Sequence, residues 1–159
     1  MQRAAFAIAD GDAIGASDYI ADLTQPELES FELDMDDGTL TLTFSETVVY
    51  ADVDYEGITF YGGINDLSQE YSLTGGNIQG PDFTTLVVEL TDTDTNALKS
   101  RDANAVSVLS TYISLSGSSF KDVSGNPLAP VYFEGATDYT ADTTAVELLS
   151  FELDIDQGY

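Results

Sequence analysis

Carboxylates are the most abundant side chains in this sequence that could bind a metal ion or take part in catalysis. It contains 29 Asp and Glu against four Lys and Arg, and it has neither His nor Cys. Calcium takes hard oxygen ligands such as carboxylates, whereas zinc, haem and iron–sulfur centres usually depend on His or Cys. The composition therefore predicts that a bound metal is a hard divalent cation, and calcium is the expected cofactor.

Catalysis is not expected from these residues. Without His or Cys, a Ser–His or Cys–His nucleophile system cannot form. Paired carboxylates can serve as the acid and base of a glycosidase, but 29 acids in 159 residues make some close pair almost inevitable. Because no nucleophile, base and oxyanion-stabilising group can be named together, the sequence predicts a protein that is not an enzyme.

The net charge of −25 restricts the partners of this protein. Such a surface repels the phosphates of nucleic acids and the headgroups of anionic membranes. It also repels itself, so salt or bound cations should stabilise the compact state. Residues 1–9 are too short an apolar run for a signal peptide, and no run approaches membrane-spanning length. We expect no nucleic-acid binding and no direct membrane insertion.

The most informative pattern is an internal repeat with an offset of 120 residues, from Asp18 to Asp138. Residues 18–38 read DYIADLTQPELESFELDMDDG, and residues 138–158 read DYTADTTAVELLSFELDIDQG. A period of this length is a whole domain rather than one turn of a solenoid. We predict that residues 1–25 are the tail of a preceding repeat with its linker, that residues 26–137 are one complete repeat, and that residues 138–159 are a linker with the first strand of the next repeat.

Alternation of apolar and polar residues within the complete repeat indicates β-strands. Thr39–Phe44 is the clearest strand, with Leu40, Leu42 and Phe44 on one face. The seven predicted strands are 29–33, 39–44, 58–61, 71–73, 85–90, 112–115 and 128–133. Residues 92–99 are expected to form a short helix or turn, because Thr and Asp suit capping. The pattern favours an all-β, immunoglobulin-like Greek-key sandwich, with a closed barrel as the alternative.

The order of these strands predicts where the acidic loops meet. In a sandwich, the turn after the first strand and the segment after the fifth share one end with the link to the next repeat. The loops after the second and sixth strands share the opposite end with the incoming linker. Stacked repeats would bring acids of both ends to one linker, where about six to eight oxygens could hold calcium. The predicted metal ligands are Asp22, Asp34, Asp36, Glu46, Asp92, Asp94, Asp122, Asp138 and Asp142.

The same acids have a simpler interpretation as turn formers and solubilising residues, because Asp caps turns with its own side chain. The run Asp34-x-Asp36-Asp37-Gly38 is faintly similar to an EF-hand loop. It lacks the downstream Glu and the flanking helices of that motif. A hairpin turn is therefore favoured at this position, since Asp-Gly is a strong hairpin signal.

A group of tyrosines suggests a different kind of binding. Tyr50, Tyr55, Tyr61 and Tyr71 surround the third and fourth predicted strands. Exposed tyrosines with acidic neighbours could bind glycans or a protein partner, whereas packing at the edge of the core is the simpler interpretation. The alternative function is therefore a carbohydrate- or partner-binding β-sandwich module.

Several segments together resemble the immunoglobulin-like repeats of giant surface proteins, including S-layer-type and adhesin-type repeats. These segments are SFELD at 30–34, the strand from Gly38 to Phe44 with the following SETV at 45–48, Leu98-Lys99, and Asp122-x-x-Gly125-Asn126. The resemblance implies a structural or adhesive module of an extracellular or cell-surface protein, often with calcium between modules. Its partners would be neighbouring repeats of the same chain and other copies in a filament or surface layer. The period is long for such a module, so loop insertions are expected.

Overall fold

The computed structural model describes residue 15, residues 17–79, 84–145 and 147–153, and residue 156. This part of the chain contains eleven β-strands, one α-helix, and two 3-10 turns at Tyr55–Gly57 and Val108–Ser110. The strands are β1 (Leu28–Asp34), β2 (Thr39–Phe44), β3 (Val48–Val49), β4 (Ile58–Tyr61), β5 (Tyr71–Ser72), β6 (Gly76–Gln79), β7 (Thr85–Leu90), β8 (Tyr112–Leu115), β9 (Lys121–Asp122), β10 (Val131–Gly135) and β11 (Asp138–Thr140). The helix α1 spans Asp92–Lys99.

The strands are arranged in two main sheets and one small sheet. The five-stranded sheet has the order β11-β1-β2-β7-β6, the four-stranded sheet has the order β10-β8-β4-β5, and β3 pairs with β9. The pairings are antiparallel except for β1 with β11, which is parallel. Both main sheets contribute to one apolar core. The predicted all-β sandwich is confirmed, and the described strands form separate sheets rather than a closed barrel.

The core follows from the alternation in the strands. In β2, Leu40, Leu42 and Phe44 are buried, as the sequence predicts, and the Thr residues between them are partly exposed. Phe60 of β4 and Ile113 of β8 supply the opposing face of the same core. Each fully buried side chain of this kind stabilises the fold by about 1.5–3 kcal/mol relative to its exposed state.

Helix α1 begins and ends at the predicted residues. The Thr91 hydroxyl caps its first turn by accepting a hydrogen bond from the Asp94 backbone N–H at 3.1 Å. Leu98 is buried in the core and fixes the helix against the sandwich. Asp92 and Asp94 in the first turn and Lys99 in the last turn match the helix dipole.

Four of the eleven described strands are absent from the sequence prediction. β3 and β9 have two residues each, which is too short for an alternation to be seen. β6 lies between the fourth and fifth predicted strands, and β11 lies in the predicted linker. The final predicted strand at 128–133 is displaced, since β10 spans Val131–Gly135.

Backbone contacts between loops define the two ends of the sandwich. At what we call the downstream end, Leu90 N–H donates to the Gly38 carbonyl at 2.9 Å, and Met35 N–H donates to the Thr140 carbonyl at 2.8 Å. At the opposite, upstream end, Ser45 N–H donates to the Glu27 carbonyl at 2.9 Å. Three segments meet at this upstream end: the linker before β1, the loop after β2 and the loop after β9. Three others meet at the downstream end: the turn between β1 and β2, helix α1 and the segment after β11.

Candidate functional site

Asp122 is the buried centre of a tight turn at the upstream end. Its side chain is 1% exposed. Its Oδ1 accepts hydrogen bonds from the backbone N–H groups of Ser124 at 2.8 Å and Asn126 at 2.7 Å, and its Oδ2 accepts one from Asn126 Nδ2 at 2.7 Å. Gly125 has a φ of +89°, a conformation that L side chains rarely adopt. The motif Asp-x-x-Gly-Asn is therefore a carboxylate-centred turn.

Asp22 reaches this turn from the linker that precedes β1. Its Oδ1 accepts a hydrogen bond from Thr24 N–H at 3.0 Å, which fixes a local turn. Its backbone carbonyl accepts a hydrogen bond from Asn126 Nδ2 at 3.2 Å. Asn126 thus bridges Asp22 and Asp122, which are 100 residues apart in the chain.

Glu46 completes the group from the loop between β2 and β3. The β3–β9 pairing, in which Val48 lies opposite Asp122, brings this loop to the Asp122 turn. Glu46 Oε1 is buried and has no hydrogen-bond partner among the residues that the structure describes. Leaving a buried polar atom unpaired is unfavourable, so a water or an ion bound to this oxygen would be stabilising.

The three carboxylates form a compact oxygen cluster. One oxygen each of Asp22, Glu46 and Asp122 lie within 4.8 Å of one another. Two oxygens that bind one calcium ion at about 2.3–2.6 Å lie within about 5 Å of each other, so this spacing suits calcium. We call these three residues the upstream cluster.

Burial and charge act differently on two members of the upstream cluster. Burial, followed by the negative charges of Asp22 and Asp122, raises the pKa of Glu46 above its ordinary value. Burial also opposes ionisation of Asp122, but hydrogen bonds from Asn126, Ser124 and Gly125 outweigh it and lower the pKa of Asp122. A cation would relieve the cost of ionising Glu46 beside two other carboxylates.

A second group of predicted ligands lies at the downstream end. Asp34 Oδ1 accepts hydrogen bonds from the N–H groups of Asp36 and Asp37 in the β1–β2 turn, as expected for a hairpin. Asp36 Oδ1 accepts a hydrogen bond from Thr143 N–H at 2.8 Å, which lowers the pKa of Asp36. Asp142 pairs with Lys99 Nζ at 2.8 Å, and this contact lowers the pKa of Asp142. These acids therefore already have protein partners.

The remaining predicted ligands do not converge on either group. Asp92 is exposed in the first turn of α1. Asp138 is exposed in β11, where its Oδ1 accepts a hydrogen bond from Tyr139 N–H at 2.9 Å. Asp94 is fully buried. Of the nine predicted ligands, the structure brings Asp22, Glu46 and Asp122 together.

Asp94 is a structural centre that the sequence does not reveal. Its Oδ1 accepts hydrogen bonds from the Tyr71 hydroxyl at 2.7 Å and from both N–H and Oγ1 of Thr74 at 2.9 Å. Its Oδ2 accepts one from Thr91 Oγ1 at 2.8 Å. Burial opposes ionisation, but these bonds outweigh it and lower the pKa of Asp94. Burial, followed by the Asp94 carboxylate, raises the pKa of Tyr71 to about 12.

The four tyrosines of the alternative function have different surroundings. Tyr71 is bonded to Asp94, and the Arg101 guanidinium lies over its ring at 4.6 Å. Tyr61 packs on Phe133 with a centroid distance of 4.7 Å. Tyr55 packs against the core, and Tyr50 is 46% exposed. The contacts of Tyr71, Tyr61 and Tyr55 are explained by packing and hydrogen bonding within the fold.

Comparison with known proteins identifies no family for this chain. No protein-family model and no curated protein sequence matches it. Solved structures with a similar arrangement include the S-layer protein rSbsC, at 17% identity and a TM-score of 0.46, with 74% of this chain and 14% of that chain covered. Another is the N-terminal part of the bacterial S-layer protein SbsC, at 18% identity and a TM-score of 0.43, with 77% of this chain and 24% of that chain covered. Similarity of this degree carries no functional conclusion.

Among the residues that the structure describes, no helix has the length and hydropathy needed to span a bilayer.

Proposed function

We propose that this chain is a structural repeat module of a long extracellular surface or filament protein, and that calcium bound by the upstream cluster stiffens the junction between successive modules. Adhesion or packing into a surface layer would then depend on the array rather than on a pocket in one unit. The observation that carries the proposal is the buried, unpaired Oε1 of Glu46 beside the carboxylates of Asp22 and Asp122, among the residues that the structure describes.

The repeat is supported by a difference in burial between its two copies. Phe31 and Leu33 of β1 are 0% and 1% exposed. Their counterparts Phe151 and Leu153 are 78% and 75% exposed. A strand with apolar residues on one face requires a sheet to cover it. We therefore propose that residues 147–153 are the first strand of a following unit, in line with the predicted boundaries at 25/26 and 137/138.

The position of Asp22 makes the upstream cluster a junction site. Glu46 and Asp122 belong to the sandwich, whereas Asp22 belongs to the linker that enters it. A cation held by all three would fix the linker to the sandwich and restrict the angle between modules. Each junction of an array would bind one such ion, and the large negative charge would favour binding.

Thermal unfolding of the full chain, with calcium and with chelator at equal ionic strength, tests this proposal. Ligand binding to the folded state alone raises the midpoint, and saturating calcium should do so by on the order of 10 °C. Glu46→Gln should abolish this rise. In chelator it should raise the midpoint, because the raised pKa of Glu46 means that its charge destabilises the fold at neutral pH.

The matched control is Glu56→Gln, which neutralises an exposed glutamate in the 3-10 turn at Tyr55–Gly57. This variant should keep the full response to calcium. An equal response of Glu46→Gln and Glu56→Gln to calcium, or an unchanged midpoint in the parent chain, would remove the calcium site and leave the repeat-module proposal standing.

A further inference from the structure

The second linker copy is docked on the downstream end of the sandwich. β11 pairs in parallel with β1, with Tyr139 opposite Leu33. The Tyr139 hydroxyl donates to the Ala105 carbonyl at 2.7 Å, and Asp142 pairs with Lys99 at 2.8 Å. Residues 138–144 therefore act as a docking strand that completes the five-stranded sheet.

The first linker copy has the same sequence pattern and the same local turn, but not the same surroundings. Asp22 Oδ1 accepts a hydrogen bond from Thr24 N–H at 3.0 Å, as Asp142 Oδ1 does from Thr144 N–H at 2.9 Å. Tyr19, the counterpart of the partly buried Tyr139, is 83% exposed. Neighbouring Ile20 and Leu23 are 87% and 81% exposed.

We propose that residues 18–24 are a docking strand whose partner is the downstream end of another unit of this type. The strand would add in parallel to the β1 edge of that unit, with the Tyr19 hydroxyl on the carbonyl that corresponds to Ala105. This inference rests on the proposed repeat architecture and needs no calcium. It makes the linker two-sided, because its backbone completes the preceding sheet while Asp22 stays with Glu46 and Asp122.

In an array, Asp22 would lie between two consecutive units. Its counterpart Asp142 pairs with Lys99 of the unit upstream of it. In an array, Asp22 would therefore face the corresponding lysine of the preceding unit on one side and the upstream cluster of its own unit on the other. The same aspartate would connect two consecutive sandwiches.

Hydrogen exchange measured by mass spectrometry tests the docking strand. In the full chain, amides of residues 138–144 should exchange slowly and those of residues 18–24 quickly. The comparison is a two-unit chain in which a copy of residues 26–137 is placed directly before Asp18. In that chain, residues 18–24 should slow by at least roughly tenfold. Exchange at the rate of the single-unit chain would overturn the inference.

Paired substitutions separate docking from general stability. Tyr19→Phe should leave the melting of the single-unit chain unchanged and should speed exchange at residues 18–24 in the two-unit chain. Tyr139→Phe, the matched control, should speed exchange at residues 138–144 in both chains. All measurements are made in chelator and repeated with Glu46→Gln, so that a failed calcium site would leave these results unaffected. If Tyr19→Phe left exchange at residues 18–24 of the two-unit chain unchanged, the proposed tyrosine contact would be contradicted.

Discussion

Glu46 and Asp122 occupy one cluster, yet their pKa values move in opposite directions. The difference lies in hydrogen-bond donors: the turn at Ser124–Asn126 surrounds Asp122 with N–H groups, whereas Glu46 Oε1 receives none from the described residues. The Asp122 turn is thus complete without a ligand. Glu46 is the member of the cluster whose pKa is raised, and for this reason it is the best position at which to test the proposed site.

We expect Asp94 to affect how the free energy of unfolding changes at acidic pH. The pKa of Asp94 is lowered in the folded state, so its ionised form stabilises the fold. This contribution to the free energy of unfolding is complete above the pKa of Asp in the unfolded chain, about 3.9. It disappears as the pH falls through the lower pKa of the folded state. Asp94→Asn should lower the free energy of unfolding at pH 7 by about 2–4 kcal/mol, because buried donors lose a charged acceptor. The destabilisation that Asp94→Asn causes relative to the parent chain should be smaller at pH 3 than at pH 7.

Urea unfolding at pH 7 and pH 3 measures this effect. Asp92→Asn is the control, since Asp92 lies in the same helix turn and is exposed. It should change the free energy of unfolding little at either pH. If Asp94→Asn unfolded at the same urea concentration as Asp92→Asn, the structural role of Asp94 would be refuted.

The proximity of the three residues of the upstream cluster can be predicted from the sequence. The order of the strands indicates at which end of the sandwich each of their loops lies. The same reasoning predicts Asp94 as a cation ligand, whereas the structure buries Asp94 and surrounds its carboxylate with hydrogen-bond donors. Its actual surroundings depend on Tyr71 and Thr74, which approach from β5 and the following loop. Such long-range contacts leave no local pattern. Thr91, three residues before Asp94, is a nearby signal, but it indicates only a helix cap.

Among the elements, the turn after β9 depends on the backbone of one glycine. Gly125 has a φ of +89° and no atom within 4 Å of the position that a Cβ would take. Gly125→Ala should therefore lower the free energy of unfolding by about 1–2 kcal/mol through backbone strain alone. Gly125→Asn should cost less, because Asn tolerates positive φ better.

Chemical denaturation in chelator measures this cost, and Gly15→Ala is the control. Gly15 also has open space around it, but its φ is outside the positive range that disfavours side chains. That substitution should have almost no effect. Equal free energies of unfolding for the two alanine variants would show that the conformation of Gly125 does not limit the turn.

Elements with a clear alternation have the bounds that the sequence predicts, as β2, β4, β7 and β8 show. Strands that are defined by their pairing, rather than by an alternation of apolar and polar residues, are not predicted from the sequence. β11 is the instructive case: Asp138–Thr140 is polar and outside any periodic segment, and it becomes a strand because the β1 edge accepts it. Strand pairing across the sheet cannot be seen in a local window of residues.

For the whole molecule, function is proposed to lie at the contact between units. In this proposal, the docking strand would join the sandwich to the next linker, and the upstream cluster would supply a cation site at that linker. With a net charge of −25, neighbouring units repel each other unless cations intervene. Calcium should therefore change the geometry of a pair of units more than the structure of either one.

The distance between two spin labels in the two-unit chain tests this claim most directly. The chain has no Cys, so Glu134→Cys, at an exposed position of β10, can be labelled in each unit. Calcium should narrow the distribution of label-to-label distances, and Glu46→Gln in the downstream unit should restore the broad distribution seen in chelator. Sodium chloride at matched ionic strength should not narrow it. A distribution that is equally broad with calcium and with chelator would contradict the proposed calcium-stiffened junction.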